Sequence, residues 1–315
     1  MRALHVPAIG AHEQLSDLPV PEVVPGTVLV RVKAAALNAI DNVIAVGMLA
    51  RQLPRAYPVI LGRDVAGVVE AVGSGVEHVR VGDEVVGTVP LTPPLHAGTL
   101  ADYALVPACS VVVKPPALSF VSAAAIPLAG AVAIAAVQAV DPAPGQTVLV
   151  NGASGGVGSY AIQLVAARGA EVLATGTAED AVRLKRLGAG TVLDHTLAPL
   201  VRQVRALRPG GVDALIDLVA YTARTMPLGA VAEGGVVASA LGAADPGTLA
   251  AAGLTGANVS AAVTRELLAR LADQVATGSL TVDVTTVLSL DQAIDGLHTI
   301  AAGRARGKIV VSVAD

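Results

Sequence analysis

Cysteine, aromatic residues and charge are all scarce in this chain, and each shortage closes off a class of protein. A single cysteine, Cys109, stands among 315 residues, so no intrachain disulfide can form and nothing argues for export. Aromatic residues make up 2% of the chain, with one Phe, four Tyr and no Trp. The stacking platforms of single-strand nucleic-acid binders are therefore missing, and the core has to be built mainly from Val, Ala and Leu. Net charge is −4 with no block of basic residues, which leaves no electrostatic footprint for nucleic acid. No apolar run reaches membrane-spanning length uninterrupted. The nearest, 121–140, contains Pro127, Gly130 and Gln138 and runs into Asp141. The N-terminal MRALHVPAIG lacks the apolar stretch of a signal peptide. These features predict a cytoplasmic protein whose partner is a small molecule, with neither nucleic acid nor membrane involved. With 53% hydrophobic residues and 315 positions, the chain has material for two folded domains.

The most informative stretch that is present runs from Val148 to Thr177. An apolar β-rich run, Val148-Leu149-Val150, enters a loop holding Gly152, Gly155, Gly156 and Gly158. A helical segment follows over about 157–168, and a second β-rich run over 171–175. Strand, glycine turn, helix and strand in that order form a βαβ unit of the kind that seats a dinucleotide pyrophosphate. Aligned on its closing glycines, the fingerprint reads Ala153-Ser154-Gly155-Gly156-Val157-Gly158. Alanine is small enough for the tight turn at the first position. Gly155 leaves room for the phosphates, and Gly158 lets the helix lie close to the strand. The helix N-terminus offers unpaired N–H groups and a positive dipole end to the diphosphate.

Around this unit the pattern divides in two. Residues 1–120 read as strands (28–32, 65–72, 84–89, 111–113) between Pro/Gly turns such as Pro25-Gly26, Gly73-Ser74-Gly75 and Pro115-Pro116. From Val121 onward, Ala-rich helical stretches alternate with short strands. Helices are predicted over 178–187, 197–207 and 222–231, and strands over 191–193, 213–219 and 235–240. That alternation specifies a parallel sheet covered by helices on both faces. The tail departs from it: 265–277 and 291–302 read as helical, 281–288 and 308–313 as strands.

Several motifs in this order resemble the medium-chain dehydrogenase/reductase superfamily, in its zinc-less quinone oxidoreductase (zeta-crystallin-like) branch. They are Ala36-Leu37-Asn38-Ala39-Ile40-Asp41 with Gly47, Gly62-Arg63-Asp64-Val65-Ala66-Gly67, Val81-Gly82-Asp83-Glu84-Val85, Gly98-Thr99-Leu100-Ala101-Asp102-Tyr103, Pro127-Leu128-Ala129-Gly130, the glycine turn, and Gly307-Lys308-Ile309-Val310. The resemblance implies an α/β protein in three segments. A GroES-like, β-rich catalytic domain spans 1–120, and a doubly wound Rossmann NADP(H)-binding domain with a parallel sheet spans 121–256. A C-terminal segment, 257–315, returns to the catalytic domain. It also implies a cleft between the domains for nicotinamide and substrate, and a homodimer formed through the Rossmann sheet.

No metal is expected. Zinc-dependent relatives carry Gly-His-Glu where this chain has Gly62-Arg63-Asp64, and an arginine cannot ligate a cation. Cys109 lies elsewhere, and the six histidines show no paired ligand spacing. For the cofactor, NADPH is favoured over NADH. The second Rossmann strand ends Ala174-Thr175-Gly176-Thr177 without the acidic residue that would bind a ribose diol and repel a 2′-phosphate. By resemblance Thr177 stands where a phosphate-contacting Ser occurs, Arg183 lies in the next helix, and His195 falls near the adenine end. Glu179 departs from the basic residue often found in NADPH-binding relatives. The cofactor set implied is thus Ser154, Gly155, Gly156, Val157, Gly158, Thr177, Arg183, His195 and Leu241.

The resemblance implies hydride transfer from NADPH to a quinone or an α,β-unsaturated carbonyl, whose conjugated oxygen hydrogen bonds alone can polarise. Asn38 and Asp41 match the family motif as the catalytic candidates: Asn38 to orient nicotinamide or substrate, Asp41 to hold a loop or relay a proton. Turn capping is what the same residue types do in any fold. Tyrosines and an arginine that relatives carry after this motif are replaced by Val43, Ala45 and Leu49, and a frequent Thr by Val132, so the pocket reads as apolar. Two alternatives stand beside the leading reading: an enoyl-thioester reductase of the same superfamily, and a non-catalytic NADPH-binding protein.

Overall fold

Val-rich runs between Pro/Gly turns become strands in the first third of the chain, where alternation buries one face and the turns reverse direction. The computed structural model describes residues 1–48 and 50–313, so Leu49 lies outside the described residues. In order come β1 (Arg2–Val6), β2 (Gln14–Asp17), β3 (Thr27–Ala36), α1 (Ala39–Ala45), β4 (Val59–Ile60), β5 (Asp64–Val72), β6 (Glu84–Thr88), β7 (Tyr103–Pro107) and β8 (Val111–Val113). Two helices follow, α2 (Phe120–Ala124) and α3 (Pro127–Val140). The Ser119 side chain caps α2 by accepting the Ser122 N–H at 3.1 Å. Pro127 opens α3 in its first turn, where a missing N–H costs no helical hydrogen bond.

Residues 132–261 form one compact unit, and residues 1–131 with 262–315 form the other. The 132–261 unit carries β9 (Thr147–Asn151), α4 (Gly156–Ala167), β10 (Glu171–Gly176), α5 (Ala181–Arg186), β11 (Thr191–Asp194), α6 (Leu200–Leu207), β12 (Val212–Asp217), β13 (Val231–Ser239), α7 (Pro246–Ala251) and β14 (Thr255–Asn258). Its strands run β11-β10-β9-β12-β13-β14, all pairs parallel. That is the doubly wound order, with the reversal at β9 against β12. All five residues of β9 are buried, as a central parallel strand covered on both faces requires.

The helix expected over 222–231 does not form. The segment makes two 3₁₀ turns, Ala223–Thr225 and Leu228–Ala230, and then enters β13. Pro227 supplies no N–H and drives Met226 before it to an extended ψ of 144°, which stops helix propagation. β14 has the sequence Thr-Gly-Ala-Asn with all four residues exposed, so it carries no apolar pattern to read.

The tail contributes α8 (Arg265–Ala276), β15 (Val284–Ser289), α9 (Ala293–Ala301) and β16 (Lys308–Ser312). β16 pairs antiparallel with β3, Val310 opposite Ala36, and parallel with β15. The sheet of this unit therefore reads β15-β16-β3-β5-β6-β8, with β7 also on β3, beside a small sheet β2-β1-β4. Its core joins Val30, Leu37 and Val65 from the N-terminal part to Leu297 and Val311 from the tail. Among the described residues no helix is long and apolar enough to cross a membrane.

Candidate functional site

In the parallel-sheet unit, β9 delivers the chain into a turn that neighbouring strands hold. Gly152 sits at φ +85°, the left-handed region, and its N–H donates to the Thr175 hydroxyl on β10 at 2.8 Å. Asn151 donates from Nδ2 to Asp217 Oδ2 on β12 at 2.7 Å. The other Asp217 oxygen accepts the N–H of Ala220 at 2.7 Å, so a fully buried carboxylate moors the turn. Thr175, Asn151 and Asp217 are not among the site residues expected from the sequence. The signal was there: each is a polar residue at or near the end of an apolar strand run.

The glycines of the turn serve different needs. A Cβ on Gly158 would lie 2.3 Å from Gly152 O and 2.5 Å from Ala153 Cα, so no side chain fits beneath α4. Gly155 has extended backbone, φ −84° and ψ −179°, and a Cβ there would meet only Gly152 O, at an ordinary 3.5 Å. Nothing inside the protein demands a glycine at 155. The first helical hydrogen bond is Ser159 N–H to Gly155 O at 3.0 Å. The N–H groups of Gly156, Val157 and Gly158 precede it and have no acceptor within the helix. Those donors and the positive end of α4 suit an anion brought against Gly155.

Because every strand pair is parallel, the ends of β9, β10, β11 and β13 lie along one edge. That brings the turn, Thr177, His195 and half-buried Leu241 to the same edge. Asp180, buried, accepts the Thr177 N–H and hydroxyl, each at 3.0 Å, and the Arg183 guanidinium at 2.8 Å. Arg183 also donates to Ser154 O at 3.0 Å, which laces α5 to the glycine turn. His195 Nδ1 stands 3.2 Å from Gly176 O, and since a carbonyl can only accept, Nδ1 is the donor. The Thr177 hydroxyl donates to Asp180 here.

In the other unit, Asn38 caps α1 and Asp41 lies one turn on. Asp41 Oδ2 accepts the Asn38 N–H at 2.8 Å. Its Oδ1 finds no hydrogen-bond partner, and neither do Nε and Nη1 of Arg63, all buried. Burial pushes the Asp41 carboxyl up to about 6, while nearby Arg63 and the Asn38 N–H pull it back and Asp64 adds to the rise. The Arg63 guanidinium, 1% exposed, donates through Nη2 to the carbonyls of Ile60 and Ala97. The Asn38 amide is held at both ends. Nδ2 donates to Asp64 Oδ2 at 3.0 Å and Ala36 O at 3.3 Å, and Oδ1 accepts from Lys308 Nζ at 2.6 Å. Asp64 and Lys308, 3.9 Å apart, had entered the sequence reading only as members of motifs. Val43 and Ala45 on α1 are half-buried, as is Val132 on α3.

Metal donors are dispersed. Cys109 is exposed in a 3₁₀ turn, while His5, His78 and His195 bond to Ser16, Val111 O and Gly176 O. Among the described residues no group of three His, Cys, Asp or Glu side chains could hold an ion.

Comparison with known proteins gives two family matches: "Alcohol dehydrogenase GroES-like domain" over residues 24–117 and "Zinc-binding dehydrogenase" over 187–311. A 2-methylene-furan-3-one reductase of Solanum lycopersicum is 32% identical over 303 residues, covering 94% of this chain and 74% of that protein. The chain belongs to the medium-chain dehydrogenase/reductase superfamily. Members of this superfamily solved in three dimensions match it from end to end. The quinone oxidoreductase of Escherichia coli complexed with NADPH superposes with TM-score 0.87 at 26% identity, covering 99% of this chain and 100% of the other. A structure described as an NAD-dependent alcohol dehydrogenase superposes with TM-score 0.87 at 34% identity, covering both chains fully. This medium-chain dehydrogenase/reductase is thus an oxidoreductase of nicotinamide cofactors, built from a GroES-like β-rich part and a Rossmann-type parallel sheet.

Proposed function

We propose that this medium-chain dehydrogenase/reductase is a zinc-independent, NADPH-dependent enzyme that transfers hydride to a quinone or an α,β-unsaturated carbonyl compound. The observation that carries the cofactor reading is the contrast between Gly158, which the protein's own packing requires, and Gly155, which it does not. A glycine kept at 155 answers to something approaching from outside, and the unpaired N–H groups of Gly156, Val157 and Gly158 fit a diphosphate there. Bound NADPH supplies the hydride. The turn holds it, with Ser154, Thr177, Arg183, His195 and Leu241 along the adenosine side.

Preference for the phosphorylated cofactor rests on charge. Asp180 follows the end of β10, and its carboxylate is engaged by Thr177 and Arg183. It is therefore not offered to a ribose diol, while Arg183, which shares Asp180 with Thr177, is a cation near the end of β10 where a 2′-phosphate would be met. The donor set does not suit zinc, whose catalytic sites need three convergent protein ligands. The acceptor reading follows the relatives: one reduces a methylene-furanone and one is a quinone oxidoreductase. In both acceptors a conjugated oxygen gathers charge, and hydrogen bonds can stabilise it. Asn38 is the polar group that meets nicotinamide or substrate, and Asp41 is the positioning carboxylate that holds its backbone.

The enzyme is further read as a homodimer. β14 ends the six-stranded sheet, pairing only with β13 among the described residues, and a second copy's β14 would extend the sheet across the dimer. The test of the activity is consumption of NADPH with small quinones and short enones by metal-free protein. Turnover of either class supports the reading. Tight NADPH binding with no turnover of either would reject it.

A further inference from the structure

We propose that Lys308 and Asp64 are positioning residues that set the side-chain amide of Asn38 in one orientation, so that β16, from the far end of the chain, completes the reaction site. The proposal rests on the reading of Asn38 as a group that meets nicotinamide or substrate. Lys308 Nζ lies 2.6 Å from Asn38 Oδ1 and 3.1 Å from Leu37 O, the carbonyl just before it. Asp64 Oδ2 lies 3.0 Å from Asn38 Nδ2, and Asp64 Oδ1 accepts the N–H of Leu128 in the first turn of α3 at 3.1 Å. An ammonium only donates and a carboxylate only accepts, so the amide oxygen must face Lys308 and the amide nitrogen Asp64. A half-turn of the amide would set NH₂ against ammonium and oxygen against carboxylate. Both hydrogens of Nδ2 are then used, by Asp64 and Ala36 O, and one lone pair of Oδ1 is left to accept from an N–H of a ligand, as the carboxamide of nicotinamide carries.

Stability does not account for this arrangement. Lys308 is 3% exposed and Asp64 fully buried, and the rest of the buried part of β16 is Ile309, Val310 and Val311. Taking such a pair out of water costs several kcal/mol, and apolar residues of similar volume in its place are often neutral or stabilising. A lysine kept at the start of an apolar strand, with its ammonium directed at one amide, buys orientation instead. Asp41 holds the Asn38 backbone and Lys308 holds its side chain, so each half of the residue has its own anchor.

Three variants of the full chain decide the matter: Lys308→Met, Lys308→Arg and the pair Lys308→Met with Asp64→Asn. The chain has four asparagines, so selective ¹⁵N-Asn labelling resolves the Asn38 side-chain amide. In Lys308→Met that amide should shift and exchange faster with solvent, while NADPH affinity stays within about twofold and kcat with 1,4-benzoquinone falls about tenfold or more at little-changed acceptor KM. Lys308→Arg, which keeps charge and donors, should retain the wild-type amide signals and most of kcat. The double variant should regain the thermal midpoint that Lys308→Met loses, because no uncompensated charge remains buried, yet keep the low kcat. Recovery of kcat together with stability would overturn the proposal, as would Asn38 signals unmoved in Lys308→Met. If the wild-type enzyme binds NADPH but reduces no acceptor, the proposed activity fails, and the amide signals still decide the positioning.

Discussion

Replacing Gly155 by Val separates what the glycine turn does for a ligand from what it does for the fold. A Cβ at 155 meets only Gly152 O at 3.5 Å, and the backbone there is extended, so the folded chain has room for that carbon. Gly155 caps α4, and a poorer cap costs about 1 kcal/mol, which the stiffer unfolded chain offsets by roughly half. Stability should therefore change by less than about 1 kcal/mol. Affinity for NADPH should fall far more. A bulky group over the turn keeps the diphosphate from the N–H groups of α4, and losing one or two charge-assisted bonds is worth about 3 kcal/mol, roughly 100-fold in Kd. Gly158→Ala should do the reverse. Its methyl would lie 2.3 Å from a backbone oxygen, and relieving that overlap should destabilise the fold by about 1–3 kcal/mol or more. Calorimetric titration with NADPH and thermal unfolding by circular dichroism read the two effects separately. Gly155→Val binding NADPH as tightly as wild type, or Gly158→Ala unfolding at the wild-type temperature, would refute the division of roles.

Arg183→Ala should raise KM for NADPH by about 10- to 100-fold and leave NADH within about twofold, because only the phosphorylated cofactor loses a charged partner; steady-state kinetics with both cofactors checks it. Asp41 binds its proton more tightly in the folded state, so its stabilising effect is complete below the unfolded value of 3.8 and is lost as pH rises through about 6. Asp41→Asn should flatten that decline, by up to roughly 3 kcal/mol, in denaturant unfolding measured from pH 4 to 7. Dialysis against EDTA should leave quinone and enone reduction unchanged, with metal content followed by elemental analysis. Lysines at Thr255 and Ala257 on the exposed edge strand should convert a dimer to a monomer in sedimentation velocity, as charge blunts strand pairing.

What could be read from the sequence was what neighbouring residues encode. The βαβ unit with its glycine turn, the β-rich first part and the parallel sheet follow from period-2 runs, helical stretches and Gly/Pro punctuation, each a property of ten or so consecutive residues. Where local pattern misled, at 222–231, one proline outweighed a helical composition, and exposed β14 had no pattern to offer. The site itself was only half legible. Gly155 and Gly158 stand in one motif, yet their different reasons emerge only when Gly152 O and Ala153 are folded beneath one of them. Asn38 and Asp41 lie one helical turn apart and are legible as a pair. Lys308 meets Asn38 across 270 residues, and Asp217 meets Asn151 across 66. A lysine beginning an apolar strand, or an aspartate ending one, looks like a surface residue in a linear chain. Only the pairing of β16 with β3, and of β12 with β9, buries those charges and thereby forces them to find partners, since a buried charge left alone costs more than the fold can bear.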